Sequence, residues 1–271
     1  MLIHLIFLGL LQSAPADLLI RNGTVVTMDS EMRVLPGGAV AIRGTRIAAV
    51  LGSDEALPDA RATIDATGQL VIPGLINTHG HIPMALLRGL ADDLKLMDWL
   101  ERYIFPAESK NVSPDFVYRG SLLALAEMAR AGTTTFTDMY YFEEEVARAT
   151  EKVGLRGVLG QTIIGFPAPD YKTPEEALAA TEKFLRDYQD HPLVVPSVAP
   201  HALYTTPVEI VRRAYQLARR FQVPFQIHAV EAEEENAMVR EKLGKETIAA
   251  LDEAGVLGSG VLLHHAVWLS D

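Results

Sequence analysis

The chain has 271 residues, a formal net charge of -11, 49% hydrophobic residues and 22% charged residues. These values fit one large or two ordinary globular domains and exclude a disordered chain, a collagen and a coiled coil. The excess of 35 acidic over 24 basic residues argues against nucleic acid held on a basic surface. The absence of cysteine excludes disulfides, thiolate metal sites and a cysteine nucleophile, so any metal must be held by His, Asp or Glu.

Residues 1–11, MLIHLIFLGLL, are almost wholly apolar, and Ala14-Pro15-Ala16 has the small-x-small form of a signal-peptidase site. The run is too short to span a bilayer. Residues 1–16 therefore read either as a cleaved export signal, which would place the protein outside the cytoplasm, or as an extra strand or mis-called start in a cytoplasmic protein. No other stretch is long and apolar enough for a stable membrane span.

Residues 17–72 read as short strands and turns, the N-terminal part of a composite β-sandwich. Asn22-Gly23 between apolar β-rich runs predicts a hairpin turn. That turn is also the better reading of the Asn22-Gly23-Thr24 sequon. Gly44 predicts a second turn, and ATIDATGQLVIPG adds a strand pair.

From residue 73 onward the texture alternates between strands and helices. Strands are predicted at 69–77, 133–140, 156–165, 193–199, 223–228 and 261–265. Helices are predicted over 91–108, with Asp92 and Asp93 at its start, and over 113–132, opened by Ser113-Pro114. Others follow at 143–153, 173–188, 206–221 (opened by Thr206-Pro207) and 233–254, broken near Gly244. Repeated βα units argue for a parallel sheet. Six strands in strict alternation predict an α/β fold of the TIM (β/α)8-barrel type, here incomplete over residues 73–271.

The histidines follow that frame. Strand side chains alternate faces, so His79 and His81 point the same way at the end of the first barrel strand. His201, His228 and the pair His264-His265 follow the fourth, fifth and sixth strands. C-terminal strand ends are where barrel active sites sit, and imidazoles gathered there suit a divalent metal such as zinc. Glu231, three residues past His228, is placed to act as general acid or base. Asp138, at the end of the second strand, reads as structural.

The stretches PGLINTHGHIPMALLRGLADDLKLMDWL, QIHAVE and LLHHAVWLSD resemble the amidohydrolase superfamily. Within it they are most similar to the methylthioadenosine and S-adenosylhomocysteine deaminases and the related triazine hydrolases. The resemblance implies that His79, His81 and His228 bind one metal ion, zinc or else iron. It makes Glu231 the proton shuttle and His265 a histidine beside the metal-activated water, with Ala266 in place of the family's usual cysteine. It places Trp99 and His201 in the substrate pocket. The implied function is hydrolytic deamination of an adenine-type nucleoside by hydroxide generated at the metal. The alternatives left open are hydrolysis of another aminated or halogenated heterocycle, such as guanine or a triazine, and a barrel without catalysis. The partner implied is a small heterocyclic or nucleoside substrate, with homo-oligomerisation left open.

The family's last ligand and base is an Asp after the eighth strand. Six βα units contain no such residue, and Asp271 falls just past the sixth strand. On the resemblance, the chain is a fragment of a longer enzyme, poorly stable and weak or inactive alone.

Overall fold

The structure is a computed structural model that describes residues 14–269. The apolar segment read as an export signal lies outside the described residues, apart from its last three positions, as does Asp271. The chain divides into two compact units, one ending at Pro73 and one starting at Gly74.

The first unit is a five-stranded sheet. β1 (Ala16–Val26), β2 (Val34–Arg43), β3 (Arg46–Leu51) and β4 (Ala60–Asp65) lie in the order β3-β2-β1-β4, and β5 (Leu70–Val71) also pairs with β1. Asn22-Gly23 is not a hairpin turn. β1 runs straight through it, with a break in register against β2 between Ile20 and Gly23 and with Asn22 at φ 64°. This is a β-bulge. A Cβ on Gly23 would lie 2.7 Å from Val71 Cγ2, so the close approach of β5 requires glycine there. Gly44, at φ 57°, does turn β2 into β3. The apolar core of this sheet is small: Ala16, Leu19, Ala39 and Ala41.

The second unit is a six-stranded sheet with neighbouring strands parallel and in chain order, flanked by helices. Its strands are β6 (Leu75–Asn77), β7 (Thr133–Tyr140), β8 (Arg156–Ile163), β9 (Val194–Pro200), β10 (Phe225–Ala229) and β11 (Val261–His265). The single strand expected over 69–77 is two strands, because Pro73 has no N–H to donate and breaks the ladder. β5 and β6 on its two sides belong to different sheets.

Local chemistry explains the helix ends. In α3 (Pro114–Ala131) the Ser113 side chain accepts from Phe116 N–H at 3.3 Å, and Gly132 closes the helix at φ 84°. α4 (Glu143–Val153) precedes β8. α5 (Pro174–Asp187) opens with a reciprocal Thr173–Glu176 capping box. α6 (Val208–Phe221) has Pro207 at its N-cap and no side-chain cap. Thr206 was expected to open it but instead donates its buried hydroxyl to the Ile163 carbonyl at 3.2 Å. Gly244, at φ 73°, separates α7 (Glu235–Leu243) from α8 (Thr247–Glu253).

The continuous helix expected over 91–108 is absent. The chain is irregular to Lys95, forms α1 (Leu96–Trp99), widens to a π turn over Leu100–Ile104, and continues as α2 (Phe105–Asn111). Lys95 is the N-cap, and Asp92 and Asp93 lie on the exposed irregular stretch before it. Pro106 lacks the N–H that a regular i→i−4 ladder needs, which accounts for the altered pitch just before it.

Helix faces and sheet bury a divided core. Val117, Leu125, Phe136, Val146 and Leu159 anchor one part. Leu185, Val198, Ile227 and Leu251 anchor the other. Each fully buried side chain of this size contributes about 1.5–3 kcal/mol. The edge strand β6 leaves Leu75 and Ile76 exposed. No described helix is long and apolar enough to cross a membrane.

Candidate active site

The parallel strands end side by side, and the residues that follow them converge. Ring centroids of His79 lie 5.0 Å from His81, 5.0 Å from His228 and 4.7 Å from His265. One ligating nitrogen from each of His79, His228 and His265 falls within a 4.8 Å cluster. The Nε2 atoms of His81 and His228 are 3.2 Å apart.

Backbone carbonyls fix two of these rings. His81 Nδ1 lies 2.6 Å from the Met139 carbonyl, and His228 Nδ1 lies 2.8 Å from the His201 carbonyl. A carbonyl only accepts, so each Nδ1 carries the hydrogen and each Nε2 presents a lone pair. Burial holds both rings below their ordinary protonation range. Two bare lone pairs at 3.2 Å repel unless something positive lies between them. A divalent metal fits. At Zn–N distances of about 2.0–2.1 Å, two tetrahedral ligands sit roughly 3.3 Å apart. His79 adds a buried Nδ1 with no partner, and burial, followed by the neighbouring His264, His81 and His265, depresses its pKa to about 2. Neutral imidazole is the ligand form.

His264 packs behind His79 and is held by a different partner. Its Nε2 meets Gln226 Oε1 at 2.9 Å, and its ring stacks on His79 with centroids 4.0 Å apart. Gln226 is held in turn by the Asp138 carbonyl at 3.0 Å and Ser197 Oγ at 2.7 Å. Asp138 is fully buried, and its Oδ1 accepts the Ile82 N–H at 2.6 Å, which fixes the chain just after His81.

Glu231 sits at the rim. Its Oε1 is 3.3 Å from His265 Nε2, and its Oε2 is 3.5 Å from the Tyr204 hydroxyl. Burial, then the nearby Glu235 charge, pushes its pKa up to about 7. Glu231, His81, His228, His201 and Trp99 line one cavity. His201 Nδ1 bonds Thr205 Oγ1 at 2.7 Å, and burial lowers its pKa to about 3.

The same cavity holds a carboxyl that sequence reasoning missed. Glu108, 4% exposed on α2, accepts from the Tyr140 hydroxyl at 2.7 Å, and burial raises its pKa to about 7. The only local signal was an acidic residue following an apolar stretch, and the π turn that aims it inward cannot be read from the sequence.

The amidohydrolase family model matches residues 70–271. The chain belongs to the amidohydrolase family. It is 46% identical over 258 residues to the 5-methylthioadenosine/S-adenosylhomocysteine deaminase 1 of Syntrophus aciditrophicus, covering 94% of this chain and 58% of that protein. An adenosine deaminase from Xanthomonas campestris, solved with bound zinc, superposes with a TM-score of 0.91 at 35% identity, covering 94% of this chain and 59% of that one. An atrazine chlorohydrolase from Arthrobacter aurescens, solved with zinc, shares the fold at a TM-score of 0.85 and 22% identity, over 93% of this chain and 61% of that one. This amidohydrolase chain thus spans under two thirds of the length of the relatives it matches.

Proposed function

We propose that this site carries out metal-dependent hydrolytic deamination of an adenine-type nucleoside: adenosine, methylthioadenosine or S-adenosylhomocysteine. The observation that carries the reading is the pair of bare imidazole nitrogens facing each other beside a carboxyl whose pKa lies near 7. The 46% identity to a protein named for this deamination supports the substrate class.

On this reading His79, His81 and His228 hold one divalent metal, zinc first, with His265 also within reach. When bound, such a metal acts as a Lewis acid and brings the pKa of a coordinated water to about 7. The remaining steps belong to the chain. Glu231 carries two protons in turn near neutrality at its Oε atoms: the first, taken from the attacking water, goes to the substrate ring nitrogen, and the second, taken from the hydroxyl now on the ring carbon, goes to the amine, which leaves as ammonia while the carbonyl forms. His265 Nε2 and the Tyr204 hydroxyl hold that carboxyl in place. Trp99 and His201 wall the cavity, and Glu108 offers a hydrogen-bonding group to the polar part of a substrate. The six-stranded sheet is read as part of a (β/α)8 barrel over 73–271, and the five-stranded sheet as part of a small β-sandwich over 17–72.

The test is ammonia release by the zinc-loaded chain from adenosine, methylthioadenosine, S-adenosylhomocysteine, guanine and a triazine. Slow release, from the adenine nucleosides before the others, is expected of a chain that spans under two thirds of the length of its relatives. Turnover of guanine or the triazine in preference to the adenine nucleosides overturns the reading.

A further inference from the structure

Glu235 opens α7 and is 1% exposed. Its Oε2 accepts the backbone N–H of Glu231 at 2.9 Å. Its Oε1 accepts the Thr247 hydroxyl at 3.1 Å, from the start of α8. The carboxylate thus ties the segment that carries the chain out of β10 to the start of α8.

That exit is strained. Val230 has φ 49°, in the left-handed region where a β-branched residue is a genuine outlier. Its side chain is 1% exposed in the core, so an apolar residue is needed there despite the backbone cost. The Val230 carbonyl accepts from the N–H groups of Val267 at 3.2 Å and Trp268 at 3.1 Å. The turn is therefore gripped from one side by the segment after β11 and from the other by the Glu235 carboxylate. Between these grips the Glu231 side chain is aimed at His265.

We propose that Glu235 is the positioning residue for Glu231: its carboxylate clamps the left-handed turn at Val230 and so sets the direction of the Glu231 carboxyl. The proposal rests on the reading of Glu231 as the proton carrier. A simple helix-start cap would stabilise α7 and leave Glu231 indifferent to its loss.

The experiment compares Glu235→Ala and Glu235→Gln in the zinc-loaded chain. Two readouts are taken: kcat and KM for the adenine nucleoside, and the Glu231 backbone amide resonance by NMR. Displacing a reacting group by about 1 Å costs up to about 100-fold. Glu235→Ala should therefore lower kcat by about 10–100-fold with KM little changed, and should move the Glu231 amide resonance away from its hydrogen-bonded position. Glu235→Gln keeps an oxygen acceptor for that N–H, so it should restore most of kcat and leave the resonance in place. Unchanged kcat in Glu235→Ala with only a lower melting midpoint overturns the proposal, as does an unmoved Glu231 amide. If Glu235→Ala does not fold, Glu235→Gln decides: a displaced amide or a loss of kcat as large as that expected for Glu235→Ala overturns the clamp. If the parent chain deaminates nothing, the amide resonances alone judge the clamp.

Discussion

Zinc should raise the thermal midpoint of this chain, and the rise should depend on the facing nitrogens of His81 and His228. The contact at 3.2 Å sets two acceptors against each other, so the folded chain holds a pre-formed repulsion that a cation relieves. At zinc 100-fold above its dissociation constant, linkage stabilises the folded state by about 2.7 kcal/mol. For a chain of roughly this size each kcal/mol shifts the midpoint about 2–4 °C, so a rise of about 5–11 °C is expected. Both tryptophans, Trp99 and Trp268, lie in the unit that carries the histidines. A melt followed by intrinsic fluorescence therefore reports on the relevant unit alone. His228→Ala removes one side of the contact and one nitrogen of the cluster, so most of the rise should vanish with it. EDTA should return the parent to its metal-free midpoint. A midpoint indifferent to zinc, or a rise of equal size in His228→Ala, refutes the metal reading of these residues.

Three further outcomes are expected. Glu231→Gln should lower ammonia release by about 10²–10⁴-fold while zinc still raises the melting midpoint; full turnover in that variant removes Glu231 from proton transfer. Glu108 is held neutral by burial, its pKa raised from 4.5 to about 7, so its stabilising contribution is complete below pH 4.5 and lost as pH rises through 7. Denaturant melts at pH 5 and pH 8 should show Glu108→Gln losing less stability across that interval, by up to about 3 kcal/mol, and parallel losses in parent and variant would contradict this. Gly160→Ala would place a Cβ 2.7 Å from Ala199 Cβ, 2.7 Å from Ser197 Oγ and 2.8 Å from Gln226 Nε2, all in the packed sheet interior. Overpacking of this kind costs about 1–3 kcal/mol, read as a lower denaturant midpoint, and unchanged stability would show that the interior can yield there.

The sequence by itself determined the alternation of strands and helices and the placing of histidines at strand ends. Both are local patterns. β7 and β11 fall on the residues expected, and Ser113-Pro114 and the Thr173–Glu176 box set two helix starts through hydrogen bonds spanning three residues. The His-x-His pair was read as lying on the first barrel strand, but β6 ends at Asn77 and both imidazoles come from the irregular stretch that follows it. Tertiary structure decided the rest. Asn22-Gly23 has hairpin chemistry but becomes a bulge, because β4 and β5 pair along β1 and hold it straight. Pro73 divides one apparent strand between two sheets. The direction of Glu108 depends on a π turn, and its raised pKa depends on burial among residues distant in sequence. In sequence Glu235 is one of four acidic residues between positions 231 and 235. It becomes a buried clamp only because α8 brings Thr247 to it and β11 pins the other side of the Val230 turn. Charge, strain and lone-pair direction are set by what a residue is buried against, and those neighbours are chosen by the fold.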